Sequence, residues 1–398
     1  MPAGRDCDGA EKVKALITGN EAVSTAVKLA RVEVIAAYPI TPQTSIAEKL
    51  SQYCSSGELD ADFIKVESEH SALATVMGAS SAGVRTFTAT SSQGLALMHE
   101  LLHWSSGARL PVVMANVNRA LGAPWNIWCD HSDSLSQRDT GWLQFYCESC
   151  QEVLDTVLIA FRLAESVFTP VMVMLDGYIL SHTAEPVEIP EPEQVDRFLP
   201  KYQPLAAIDP KDPHTYHAVT SPEYFMEFKQ RQFEAARQAE AVAREVSADF
   251  AKQFGRHYAL TESFMCEDAE TIIVAAGTSA GTGRYVVRRL REQGRRVGLL
   301  RVRMFRPFPF EEIRTLLGGA ARVAVLDQAI SPGSEGVLFQ EVRSALYQAG
   351  GSGPEIYDFV TGLGGRDILP SYIEEMVEKV ENGGKAGLAR VNWLGLKS

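Results

Sequence analysis

The sequence predicts an α/β protein: a doubly wound parallel sheet joined to a second, smaller α/β domain. Three observations carry that expectation. Between residues 32 and 175, short β-branched apolar runs alternate with helical patterns, the order that builds parallel βαβ units. A proline-dense stretch then interrupts the alternation, with Pro186, Pro190, Pro192, Pro200, Pro204, Pro210 and Pro213. Beyond Glu270 the alternation resumes on a smaller scale. The expected division is a flexible lead over 1–12, a first domain over 13–184, a connector with a long helix over 185–269, and a second domain over 270–398.

Each element has a local reason. Gly19-Asn20 opens an amphipathic helix over 21–30, and 32–38 is apolar enough for a buried strand that Pro39 ends. Pro42 suits the first turn of the next helix and Thr41 its N-cap. Strands are expected over 63–66, 86–90 and 110–117, separated by helices over 71–82 and from Gln93 to about Trp104. Residues 121–140 lose periodicity, and a loop that long inside a compact domain usually serves function. A helix over 150–165 and a strand over 170–175 close the first domain, and 224–254 reads as one long polar helix. The second domain offers strands over 271–276, 297–302, 323–326 and 356–359 between helices over 283–293, 310–317, 335–348 and 370–380.

Composition excludes several functions. With 398 residues and a formal charge of -12, the chain lacks the basic clusters that nucleic acid requires, and the Arg-rich stretch from Arg284 to Arg303 reads as a solvated face. No apolar run is long enough for a membrane span, and no h-region precedes Lys14, so cytoplasm is the default. Of six cysteines only Cys147 and Cys150 form a Cys-x-x-Cys, too few ligands for zinc or an iron–sulfur cluster, and they read as buried free thiols. Asp130, His131 and Asp133 fit loop-anchoring hydrogen bonds better than a metal site. The Gly-rich turn 277–283 departs from Gly-x-Gly-x-x-Gly, and no Walker loop, Gly-Asp-Gly or Gly-x-Ser-x-Gly occurs.

What remains is a set of four loops, each at an expected strand end: Tyr38-Pro39-Ile40-Thr41-Pro42, Glu67-Ser68-Glu69, Ser92-Gln93-Gly94 and Asn118-Arg119-Ala120. Parallel strand ends share one sheet edge, where ligands bind in open α/β folds. The loops bring a carboxyl, a guanidinium, a hydroxyl and an amide to that edge, a profile suited to serving a cofactor.

These motifs, with Asp130-His131, Arg138-Asp139-Thr140-Gly141, Arg306-Pro307-Phe308-Pro309, the segment from Asp327 to Gly336 and Gly362-Leu363-Gly364-Gly365-Arg366-Asp367, resemble the α subunit of the 2-oxoacid:ferredoxin oxidoreductase (pyruvate synthase) family. The resemblance spans nearly the whole chain beyond residue 12. It implies a thiamine diphosphate pyrimidine-type first domain and a second domain of the transketolase carboxy-terminal type. It also implies oxidative decarboxylation of a 2-oxoacid to an acyl-coenzyme A, with electrons passed to ferredoxin. A β subunit carrying Gly-Asp-Gly would hold the diphosphate and Mg²⁺. γ and δ subunits would complete the assembly, a dimer of the hetero-oligomer, with iron–sulfur clusters in partner subunits only.

By the same resemblance Glu69 is the carboxyl that hydrogen-bonds the aminopyrimidine, Pro39 lies against that ring, Gln93 is a further cofactor contact, and Thr41 and Arg119 meet the substrate. Glu67 could share an orientation with Glu69, and each carboxyl would then raise the other's pKa. Trp125 and Cys129 stand where the family often has an aliphatic residue and Asn. Both are expected in the substrate pocket, and they open an alternative beside pyruvate: an aromatic acid such as phenylglyoxylate, with NAD as the final acceptor. A non-catalytic assembly subunit is the competing reading.

Overall fold

The computed structural model describes residues 14–213, 215–347, 353–383 and 388–397, so the lead over 1–12 and the end of the helix expected over 335–348 lie outside the described residues. Its strands are β1 (Lys14–Thr18), β2 (Val34–Ala37), β3 (Asp62–Lys65), β4 (Thr86–Thr90), β5 (Val113–Asn118), β6 (Leu143–Tyr146), β7 (Val171–Asp176), β8 (Ala184–Glu188), β9 (Thr261–Phe264), β10 (Thr271–Ala275), β11 (Val297–Val302), β12 (Met304–Arg306), β13 (Arg322–Asp327), β14 (Glu355–Val360) and β15 (Asn392–Trp393).

Seven strands form the first sheet in the order β12-β6-β7-β5-β4-β2-β3, parallel throughout except for β12 at one edge. Six form the second, β15-β14-β13-β10-β11-β9, parallel except where β9 runs against β11. β4, β5 and β7 are buried at every position, in keeping with their lack of charged residues before Asp176. From β2 the chain runs outward to β3 and then returns to β4 on the other side. The crevice at that reversal, outside the carboxyl ends of the strands, is the ligand position of doubly wound sheets.

Helices Gly19–Leu29 and Cys150–Val167 pack against each other in the core cluster that covers one face of the first sheet. The other face joins the second domain directly. A single apolar cluster runs from Leu73, Met98 and Met174 to Val274, Leu300, Phe305 and Val342.

Several expectations change here. Thr41 is not a helix cap: helix Thr44–Ser56 starts after Gln43, which makes no side-chain cap hydrogen bond, so Pro42 also precedes the helix. The expected helix from Gln93 to Trp104 is two, Ser92–Leu97 and His99–Gly107, joined at Met98. The connector is partly structured: β8 pairs with β1, and Pro192–Phe198 is a helix. The second sheet reaches back to Thr261, ahead of the expected boundary at 270, and β12 crosses over to pair with β6.

The Arg-rich stretch is only partly a solvated face, because its end is strand β11 and the residues after it. Arg301 and Arg303 are 3% and 2% exposed. Both bond Glu152 on the first domain, Arg301 Nη2 at 2.5 Å and Arg303 Nε at 2.6 Å. Burial alone would raise the Glu152 pKa, but the charges of Arg301 and Arg303 outweigh it and hold the carboxyl below its usual value.

Candidate active site

The loops following β2, β3, β4 and β5 meet at the carboxyl edge of the first sheet, at the β2/β4 crevice. The loop after β2 is tethered by Asn20, whose Nδ2 donates to the Pro42 carbonyl and to Ser45 Oγ, both at 2.8 Å. Pro39 and Thr41 are left exposed on it. Gly177, after β7, lets this loop approach: a Cβ there would fall 2.3 Å from the Asn118 carbonyl and 3.0 Å from Pro42 Cγ.

Glu69 is the first residue of helix Glu69–Ser81, and Ser68 caps that helix by accepting from Ser71 N. Capping is therefore Ser68's task, and the Glu69 side chain is free for another. It is 8% exposed and makes no hydrogen bond among the described residues. It lies against Gly94, where a Cβ would sit 2.7 Å from Glu69 Oε1 and 2.5 Å from Thr90 Oγ1. Glu67 turns the other way. It is exposed and accepts from Ser71 Oγ at 2.5 Å, a bond that lowers its pKa, so the two carboxyls do not form the expected pair.

Arg119 is 5% exposed, and among the described residues its guanidinium bonds only neutral acceptors. Nε donates to the Asn126 carbonyl at 3.1 Å, Nη1 to the Thr41 carbonyl at 2.8 Å and Nη2 to Gln93 Oε1 at 3.2 Å. A guanidinium has five N–H groups, so one remains on each terminal nitrogen. No carboxylate among the described residues lies within ion-pair distance of it, which sets aside a structural salt bridge. Burial lowers its pKa against the opposing influence of Tyr178 and Asp133, but arginine stays charged in proteins.

The long loop divides into an open and a buried part. Trp125 is 75% exposed, with the Arg119 guanidinium carbon 5.8 Å from its ring centroid. Cys129 is buried, and burial with the nearby Asp176 and Asp130 carboxyls pushes its thiol pKa well up. Its carbonyl accepts from Gly365 N at 2.5 Å, so it lies against the second-domain loop.

Asp130, His131 and Asp133 anchor loops, as expected. Asp130 accepts from Ser132 N and Gly364 N, and Asp133 gathers five donors. His131 Nε2 meets Asp176 Oδ1 at 2.8 Å, and Asp176 also accepts from Thr278 N at 2.9 Å, so the Gly-rich turn at 277 serves as a latch between domains. Burial would lower the His131 pKa, but the Asp176 charge and hydrogen bond raise it, and the same pair holds Asp176 low against its own burial. Cys147 and Cys150 are free thiols whose pKa values burial raises, that of Cys150 to about 12.

Sequence reasoning missed Gly94 as the space that admits Glu69. The signal was present as a glycine two residues after a strand-end serine, but its neighbour is distant in sequence.

Comparisons with known proteins identify the family. Residues 25–248 match the thiamine diphosphate-binding domain of pyruvate flavodoxin/ferredoxin oxidoreductases, and residues 269–373 match core domain II of pyruvate:ferredoxin oxidoreductase. The chain is 49% identical over 384 residues to pyruvate synthase subunit PorA of Methanothermobacter thermautotrophicus, covering 96% of this chain and 98% of the relative. It is 47% identical over 390 residues to ketoisovalerate oxidoreductase subunit VorA of Pyrococcus abyssi, covering 97% and 98%. Among solved structures, the 2-oxoglutarate:ferredoxin oxidoreductase of Magnetococcus marinus superposes with a TM-score of 0.71 at 22% identity, over 92% of this chain and 65% of that one. A split-gene transketolase superposes at 0.55 with 13% identity; these two likenesses show the fold. No helix among the described residues is long and apolar enough to cross a membrane. The chain belongs to the 2-oxoacid:ferredoxin oxidoreductase family, as an α subunit.

Proposed function

We propose that this chain supplies one half of a shared thiamine diphosphate site and the anchor for the substrate carboxylate in an enzyme that oxidatively decarboxylates pyruvate to acetyl-coenzyme A. The observation that carries this reading is a pair of buried groups at one sheet edge that nothing among the described residues completes: the Glu69 carboxyl without a hydrogen-bond partner and the Arg119 guanidinium without a counterion. Unmatched buried charges are costly unless a ligand completes them.

The residues fit the cofactor's aminopyrimidine end. Glu69 reaches the edge past Gly94 and is placed to hydrogen-bond a ring nitrogen, while Pro39 and Gln93 flank the same crevice. When bound, thiamine diphosphate supplies the electron sink for decarboxylation. Arg119 binds the substrate carboxylate through its two remaining terminal N–H groups, and Thr41, whose carbonyl already holds Arg119, offers its exposed hydroxyl beside it. A β subunit with a Gly-Asp-Gly segment holds the diphosphate and Mg²⁺, and γ and δ subunits bring the iron–sulfur clusters that pass electrons to ferredoxin. The assembly is a cytoplasmic dimer of the hetero-oligomer.

Steady-state kinetics of the assembled enzyme with Arg119→Ala test the reading. Loss of a charge-assisted pair in a desolvated site costs on the order of 2–5 kcal/mol. The specificity constant for pyruvate should therefore fall by at least about 30-fold, with thiamine diphosphate affinity nearly unchanged. An unchanged specificity constant makes Arg119 structural and refutes the assignment.

Exposed Trp125 favours a second reading, an aromatic 2-oxoacid such as phenylglyoxylate. An indole beside the Arg119 guanidinium offers an aryl ring a flat face, worth roughly 0.5–1.5 kcal/mol beyond burial. Cys129, buried behind the loop, would act only through the loop's shape. The ratio of specificity constants for phenylglyoxylate and pyruvate, native against Trp125→Ile, decides. A native preference for pyruvate with an unmoved ratio ends the aromatic reading.

A further inference from the structure

Asp133 is fully buried and lies in the short helix Ser132–Leu135, in the segment between β5 and β6, yet its carboxylate reaches back to the strand ends. Oδ2 accepts from Ser92 N at 3.0 Å, Asn116 Nδ2 at 3.0 Å and Arg119 N at 3.1 Å. Oδ1 accepts from Asn118 Nδ2 at 2.8 Å and Ser134 N at 2.7 Å. Two of these donors are backbone groups just past the carboxyl ends of adjacent strands: Ser92 after β4 and Arg119 after β5. The side chains that depend on those two positions meet in turn, since Arg119 Nη2 bonds Gln93 Oε1 at 3.2 Å. Ser92 itself, at φ 49, also donates through Oγ to the Ala120 carbonyl at 2.6 Å, so the β4 and β5 ends are joined twice.

We infer that Asp133 is the positioning residue of the substrate-carboxylate end: it fixes the spacing of the β4 and β5 tips and thereby aims the Arg119 guanidinium. The inference rests on the proposed reading of Arg119 as the substrate anchor. Burial raises the Asp133 pKa, and the hydrogen bonds from Asn116, Asn118, Ser92 N and Arg119 N oppose that rise without cancelling it. Asparagine in its place would set an NH₂ group against two donors in one orientation and three in the other. The strand tips would then move apart. A misplacement of about 1 Å in a binding group costs on the order of 100-fold in efficiency.

The test uses the assembled enzyme and pyruvate, with rates expressed per bound thiamine diphosphate. Asp133→Asn should raise KM roughly tenfold or more while kcat per site changes little, the pattern of lost uniform binding. In an Arg119→Ala background the same substitution should leave KM within about twofold, because the effect runs through Arg119. Should Asp133→Asn fail to assemble, Asn118→Ala removes one of the five donors and should raise KM by about threefold at a native-like melting temperature. A purely stabilising hub predicts something else: fewer active sites, a lower melting temperature and a native KM per site. That result, or an equal KM effect with and without Arg119, overturns the inference. A native KM in Arg119→Ala would instead sink the anchor reading, whatever Asp133→Asn does. A high KM there with a native KM in Asp133→Asn would sink the positioning role alone.

Discussion

Glu152→Gln is a demanding test of how the two domains are joined. The native carboxylate sits 2.5 Å from Arg301 Nη2 through both oxygens and 2.6 Å from Arg303 Nε, and it accepts from Glu148 N at 3.0 Å. Both arginines come from the second domain's strand region and both are buried. Removing one partner of a buried ion pair costs about 3–5 kcal/mol, because a charge is left uncompensated. Arg301 keeps Glu148 at 3.2 Å and Glu262 at 3.1 Å, whereas among the described residues Arg303 keeps only the Thr156 hydroxyl and two aromatic faces. The loss should therefore fall at the lower end, about 3 kcal/mol. Adding Arg303→Met should recover part of it, since the stranded charge is then gone.

The pH dependence has a definite sign. Glu152 has a folded pKa below its unfolded value, so its stabilisation is present above about pH 4.5 and is lost as pH falls through the folded value. The difference between native and variant should shrink below that pH. Urea unfolding followed by circular dichroism at pH 7 and pH 4 measures both. A variant within about 0.5 kcal/mol of native at pH 7 would show that the network carries no coupling between domains.

Three further outcomes are expected. Gly94→Ala should cut thiamine diphosphate affinity and activity by about 10-fold or more in the assembled enzyme, because its Cβ displaces Glu69; native affinity would show that Glu69 can move without consequence. Asp327 is pushed to about 8 by burial and by Asp358, so its folded pKa lies above the unfolded one and stability is lost as pH rises from about 4 through about 8. Asp358→Asn should flatten that loss in thermal melts between pH 6 and 9, and an unchanged slope would refute the coupling. The purified chain alone should be inactive and contain no iron, checked by assay and elemental analysis; either being present would overturn the shared-site reading.

Much of the architecture was legible because punctuation and burial wrote it into the sequence. Pro39, Ser92 and Arg119 each follow a buried β-branched run, so the strand ends at 37, 90 and 118 fell close to where the pattern stopped. What stayed hidden depends on distant neighbours. β12 is a three-residue strand with no period to read, and only its pairing with β6 defines it. Arg301 and Arg303 looked solvated because charge pattern alone cannot reveal that Glu152 awaits them. Thr41 looked like a cap, yet its carbonyl is committed to Arg119, and the helix starts three residues later at Thr44. Glu67 and Glu69 straddle a helix start, where the alternation of an extended segment no longer applies.

The central claim is that Glu69 works on the cofactor's reactive proton through the aminopyrimidine. The direct measurement is hydrogen–deuterium exchange at the thiazolium C2 of thiamine diphosphate bound to the assembled enzyme, native against Glu69→Gln, by quenched-flow NMR. General acid–base assistance of this kind contributes about 10²–10⁴-fold, so exchange in the variant should slow by at least about 100-fold with the cofactor still bound. Exchange at the native rate in fully loaded Glu69→Gln enzyme would contradict the account.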